Sequence, residues 1–143
     1  MKGDHYLYLS QSDSKDYFPG NKAHDFVVKL TPPVVLEDLE DWSVAITELQ
    51  VVPEIPSSFI VCCDLCQASH VGEKQLPVLR LIHPWVNVPI NQYLFTDPYR
   101  IQIKQKVIDT IHIYITDEQG ELMSLEQMQL RCTLQLRKYS IFT

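Results

Sequence analysis

The sequence predicts an all-β protein: a single jelly-roll-like antiparallel β-sandwich of about eight strands, spanning residues 1–143. Three observations predict it. Apolar residues alternate with polar ones at a period of two along much of the chain, which puts them on one face of a strand. No amphipathic stretch is long enough for a four-turn helix, so the crossover helices of a parallel βαβ architecture have no candidates. The chain has 4 Gly and 9 Pro. Proline punctuates ordered connections and blunts strand edges, a composition that suits many short strands.

The bulk numbers agree with one such domain. A chain of 143 residues buries roughly 70% of the surface its unfolded form exposes. Apolar residues make up 45% and charged residues 21%, ordinary globular usage that excludes disorder. The net charge of −6 repels phosphate backbones and anionic lipid, so nucleic acid is not expected as a partner through bulk charge. Arg100, Lys104, Lys106, Arg131, Arg137 and Lys138 cluster in the last third. They are read as solvated strand faces. No apolar run approaches the roughly 20 residues of a membrane span. The opening Met1-Lys2-Gly3-Asp4-His5 has no signal-peptide core. The expectation is a soluble protein made inside the cell, with no membrane partner.

The elements follow in order. Tyr6-Leu7-Tyr8-Leu9 is a short strand, and residues 11–22 form a polar loop. Phe26, Val28 and Leu30 share one face of a second strand, which Thr31-Pro32-Pro33 is expected to stop. Residues 37–41 form an acidic turn region, and residues 34–41 have room for one helical turn. Trp42, Val44 and Ile46 then share a face, but the apolar set shifts to Leu49 and Val51. Such a shift within one strand predicts a bulge or bend near Thr47 to Leu49. Residues 59–66 are apolar on both faces, so this is a central, doubly covered strand. His70-Val71-Gly72-Glu73 reads as a loop, 77–82 as a strand and 83–97 as an ordered excursion.

The last third is the most regular. Tyr99, Ile101 and Ile103 alternate with polar residues, and so do Ile111, Ile113 and Ile115. Asp117-Glu118-Gln119-Gly120 is a turn, with Gly supplying a left-handed residue. Residues 122–128 have room for a helical turn. Leu130, Cys132, Leu134 and Leu136 then alternate with polar neighbours, closing a final hairpin.

Motifs for catalysis are missing. His5, His24, His70, His83 and His112 sit in no recognisable motif. The zinc-protease His-Glu-x-x-His, the Gly-x-Ser-x-Gly elbow and Gly-rich phosphate loops are absent. A cupin needs His-x-His on one strand, but the residue two after His112 is Tyr114. Cys62 and Cys63 are adjacent, so a strand points them to opposite faces. With Cys66 and Cys132 they read as buried free thiols rather than zinc ligands. Asp64 lies in the most apolar strand, either at its end or paired with an arginine such as Arg80; pairing is the expectation. No enzyme activity, metal or cofactor is expected.

Aromatic residues are the remaining feature. Tyr17, Phe18, Trp85, Tyr93, Phe95, Tyr139 and Phe142 are read as loop or tail residues. They either cap the ends of the sandwich or form an interface, where such residues are enriched. The tail from Tyr139 to Thr143 is apolar and is expected to dock on a neighbouring subunit or into its own sandwich.

Several of these stretches together resemble a known family. They are Tyr6-Leu7-Tyr8-Leu9-Ser10, Asp16-Tyr17-Phe18-Pro19-Gly20-Asn21, Phe26 to Leu30, Trp42-Ser43-Val44-Ala45-Ile46-Thr47-Glu48 and Val61 to Leu65. His70 to Glu73, Pro77 to Arg80, Asp109 to Gly120 and Cys132 to Lys138 complete the set. In this order they resemble transposon-derived proteins of animal genomes, associated with Maverick/Polinton elements and adintoviruses. The resemblance spans nearly the whole chain. It implies a virion structural role, capsid or penton-like, with other capsid proteins and further copies of itself as partners. Many family members carry extra sequence in the middle. Where they tend to end in Leu-His-Phe-Arg-Arg, this chain has Leu134-Gln135-Leu136-Arg137-Lys138. A vertex protein, a minor cementing protein and a domesticated host copy all fit, as does a monomeric module binding a peptide or glycan. A double jelly roll does not, because it needs roughly twice this length.

Overall fold

The computed structural model describes residues 4–36, 41–52, 55, 57–84, 92–103, 105–124 and 127–139. These form eleven strands. They are β1 (Asp4–Ser10), β2 (Asp25–Val35), β3 (Asp41–Val52), β4 (Phe59–Cys63), β5 (Ser69–Val71) and β6 (Lys74–Leu76). The rest are β7 (Val78–Ile82), β8 (Gln92–Leu94), β9 (Ile101–Gln102), β10 (Val107–Thr116) and β11 (Gln129–Tyr139). The fold is all-β, as predicted.

One sheet has the order β1-β11-β3-β8, with β9 also on β3; the other has the order β2-β10-β4-β7. Every pairing is antiparallel. Doubling the chain back on itself pairs β1 with β11, β2 with β10, β3 with β8 and β9, and β4 with β7. Rolling that ribbon brings β11 against β3 and β10 against β4. The chain thereby alternates between two sheets, the winding of a jelly-roll-like sandwich. Apart from β9, the extra strands form a separate small hairpin, β5 with β6.

Period two builds the core between the sheets. Leu130, Cys132, Leu134 and Leu136 of β11 face Ile111, Ile113 and Ile115 of β10 across it, joined by Phe26, Val28, Phe59 and Val61. The shift in β3 is a bulge at Thr47: Glu48 lies opposite Thr133, but Ile46 lies opposite Leu134. One extra residue restores the phase, so both apolar runs of β3 reach the same core. All five residues of β4 are buried, as a strand covered on both faces requires.

Several boundaries differ from the sequence reading. Thr31-Pro32-Pro33 does not stop β2. The Thr31–Pro32 peptide is cis. The strand bulges outward there, and Val34 and Val35 resume pairing with Ile108 and Val107. Prolines lack the ladder N–H, and an edge strand tolerates them at such a bulge. Residues 37–40 of the expected acidic turn lie outside the described residues, and Asp41 opens β3. Residues 70–73 are the tip of the β5–β6 hairpin, with Gly72 at φ 59 in the first central position. Within the excursion, residues 92–94 form β8. The last two long strands are not a hairpin: β10 and β11 belong to different sheets. The described residues between them show no helical turn.

The turn after β10 forms as predicted. Asp117 Oδ1 accepts the backbone N–H groups of Gln119 at 2.9 Å and Glu121 at 3.0 Å. Gly120 has φ 84 and lies against the β5–β6 hairpin, to which Lys74 and Glu121 add an ion pair. A Cβ on Gly120 would meet Leu76 Cδ1 at 3.1 Å and Lys74 Cδ at 3.2 Å. Gly120→Ala is therefore expected to cost about 1–2 kcal/mol, from φ strain and crowding together. Chemical denaturation checks it.

Candidate functional site

The aromatic candidates whose side chains are described, Tyr17, Phe18, Tyr93 and Phe95, do not form one surface. Trp85, Phe142 and the tail beyond Tyr139 lie outside the described residues. Tyr139 closes β11 opposite Asp41, so its backbone belongs to a strand rather than to the tail. Tyr93 is in β8 rather than in a loop. Its ring is buried edge-on to Phe59 at 6.2 Å and stacked with Phe95 at 6.2 Å. These two aromatics close the end of the core. End-capping is one of the two roles the sequence allows; the strand itself is not legible there, because three-residue β8 is too short to show a period.

Tyr17 and Phe18 remain on a loop surface. Tyr17 is 64% exposed, with Lys29 Nζ 5.8 Å from its ring centre. The loop is fastened to β2: Asn21 Nδ2 donates to the Val27 carbonyl at 2.8 Å, and Asn21 Oδ1 accepts the Val27 N–H at 3.0 Å. Ser14 Oγ accepts the Lys29 N–H at 2.9 Å. The side chains of this loop thus satisfy the outer edge of β2.

A second cluster surrounds Arg80 on β7. Its guanidinium carbon lies 4.1 Å from the Phe95 ring centre and 4.2 Å from that of Tyr99. The cation is held by ring faces and does not pair with Asp64, contrary to the sequence reading. Asp64 instead lies just past the end of β4, exposed, and its Oδ1 accepts the His112 N–H at 3.1 Å. A cleft of about 390 Å³ adjoins the stack, bordered by Arg80, His83, Gln92 and Tyr99. Arg80→Ala is expected to cost about 1–2 kcal/mol, with Arg80→Lys restoring only part because an ammonium lacks the flat guanidinium. Thermal unfolding measures both.

The outer face of the first sheet carries a polar chain. Arg100 Nη2 donates to Gln135 Oε1 at 2.6 Å, and Gln135 Nε2 donates to the Tyr6 hydroxyl at 3.1 Å. Ala45, opposite Gln135 on β3, is small enough to lie beneath this crossing. Farther along, Glu48 accepts from Gln92 Nε2 at 2.8 Å, and a shallow depression of about 500 Å³ opens among Tyr8, Glu48, Gln50 and Arg131. Arg131 and Arg137 are exposed, as expected for solvated strand faces; Arg100 is instead committed to Gln135.

On the second sheet, His112 Nε2 contacts Asp25 Oδ1, joining β10 to β2. The four cysteines are free and buried. Burial pushes the Cys62 thiol up to about 11 and the Cys132 thiol to about 12. A hydrogen bond with Cys66 and then burial hold Cys63 well above the ordinary range. Thiols so placed stay protonated at neutral pH and are poor nucleophiles and metal ligands. Among the described residues, no group of three His, Cys, Asp or Glu side chains is placed to hold a metal.

No protein-family model matches the chain, and no curated protein matches it. The fold defines a class, a two-sheet antiparallel β-sandwich with its core between the sheets.

Proposed function

We propose that this protein is a structural subunit of a virion-like particle, capsid or penton-like, working by contact with other protein. The observation that carries the reading is the strand order, β1-β11-β3-β8 against β2-β10-β4-β7. Jelly rolls of this winding recur in viral shells, where rigid sandwiches meet through edges and loops. The sequence resemblance to virion proteins of the Maverick/Polinton and adintovirus group supports the same reading. Negative-stain electron microscopy of the purified chain, alone and coexpressed with a candidate capsid partner, tests it. Closed particles or regular rings are expected. Only small dispersed species under both conditions would overturn it.

A second reading rests on the cleft beside Arg80. A monomeric module would capture a peptide or glycan there, with Phe95 and Tyr99 as its aromatic wall. Screening peptide and glycan arrays with the native chain and with Tyr99→Ala tests it. Binding that disappears in a folded Tyr99→Ala variant supports this reading, and an empty screen sinks it.

A further inference from the structure

Each sheet of an open sandwich has two edges, and an unguarded edge is a template for pairing with another chain. Three of the four edges here are blunted. β2 carries the proline bulge, and its Val27 and Lys29 backbone groups are capped by Asn21 and Ser14. β7 has five residues, with the charged Arg80 at its centre under the Phe95 and Tyr99 rings. The edge formed by β8 and β9 is broken into pieces of three and two residues.

β1 differs. It runs seven residues in unbroken register with β11. It contains no proline, no lysine and no bulge. Among the described residues, its outer edge is bonded only at its end, where Asp13 Oδ2 accepts the Ser10 N–H at 2.9 Å and the Ser10 carbonyl accepts the Asp13 N–H at 3.0 Å. Its outward side chains are Tyr6, 51% exposed, and Tyr8, 73% exposed. Its inward ones are Leu7 and Leu9, which pack on the core.

We propose that β1 is a dimerisation edge, pairing antiparallel with β1 of a second copy about a two-fold axis at Leu7. The sequence of β1 is self-complementary in this register. Tyr6 falls opposite Tyr8 and His5 opposite Leu9, while Asp4, the only acid of the strand, falls at the margin beside Ser10, whose backbone stays with Asp13. Sheet faces match only when even-numbered residues meet even-numbered ones, and among those registers the axis at Leu7 is the one that gives both exposed tyrosines an aromatic partner. The outer face then gains two Tyr6–Tyr8 cross-strand pairs, a favourable aromatic arrangement. The two sheets become continuous through β1. An isologous contact closes at two copies, so the edge is used up and does not propagate. This is the reason for choosing a second copy as the occupant over an unrelated strand. The pairing deepens the assembly reading by naming one contact, yet its test is separate, because a dimer forms with or without a larger particle.

Light scattering on the full-length chain provides the test. A dimer is expected, and Tyr8→Lys is expected to weaken it about tenfold, since the two-fold axis repeats the loss at both ends. Tyr8 is exposed, so the circular dichroism spectrum of this variant at 25 °C is expected to match that of the native chain. Register is read by cysteine cross-linking. Paired positions in a ladder lie about 4.5–5.5 Å apart between Cα atoms, within disulfide reach. An oxidised mixture of Tyr6→Cys and Tyr8→Cys chains is expected to give a disulfide-linked heterodimer more readily than either chain alone. A chain that stays monomeric at about 100 µM would overturn the proposal. So would a dimer indifferent to Tyr8→Lys with no cross-link between positions 6 and 8.

Discussion

Phe59→Ala is expected to cost about 3–5 kcal/mol, the largest effect of any single truncation proposed for this chain. Phe59 opens β4, is fully buried, and faces the core between the sheets. Its ring meets Tyr93 edge-on, and Tyr93 stacks on Phe95, which in turn lies beside Arg80. Removing the ring therefore opens a cavity and takes away the support of the aromatic end of the sandwich. The lining cannot collapse easily, because β4 is an interior strand fixed on both sides by β10 and β7. The expected readout is a urea midpoint far below that of the native chain at a similar slope. Phe59→Leu refills most of the volume and is expected to recover much of the loss. A loss under about 1 kcal/mol for Phe59→Ala would show that this end of the core is not close-packed.

Alkaline conditions are expected to destabilise the fold more than a surface of this composition would suggest. A thiol in the unfolded chain ionises near 9.0, whereas burial moves Cys62 to about 11 and Cys132 to about 12. Cys63 is moved in the same direction. Above pH 9 the unfolded chain releases protons that the folded chain keeps. Unfolding is then favoured as pH rises, by roughly 1 kcal/mol per thiol per pH unit, until each folded thiol also ionises. Below pH 9 both states hold these protons, and the thiols add no pH dependence. Denaturant titrations at pH 8 and pH 10.5 are expected to differ by several kcal/mol. The double variant Cys62→Ala, Cys132→Ala is expected to lose much of that difference. An unchanged pH dependence in the double variant would assign the alkaline loss to other groups.

Much of the fold was legible in the sequence because a strand with one buried face writes its period into the residues. Ile111, Ile113 and Ile115, and Leu130 to Leu136, were placed correctly for that reason alone. The phase shift between Ile46 and Leu49 likewise located the bulge at Thr47, because both runs must reach one core. Short elements carry too few residues for a period. The β5–β6 hairpin and β8 are therefore hidden, and Tyr93 reads as a loop aromatic, capping or interfacial, when it is a strand residue buried at the end of the core. Proline misled at residues 31–33, since it forbids a ladder N–H but not an outward bulge in an edge strand.

The partners of charged groups were beyond the reach of sequence. Asp64 and Arg80 were natural mates by composition. Instead, Asp64 meets the His112 backbone, and Arg80 is stacked between Phe95 and Tyr99. By itself the sequence determined the all-β class, the core faces of the long strands and the turn at Gly120, all consequences of local periodicity and backbone stereochemistry. Only the tertiary structure decided that β10 and β11 part into different sheets and that β1 is left as the least guarded edge. Those outcomes depend on which strands pair over long separations, and alternation along a strand says which face is buried without naming the neighbour.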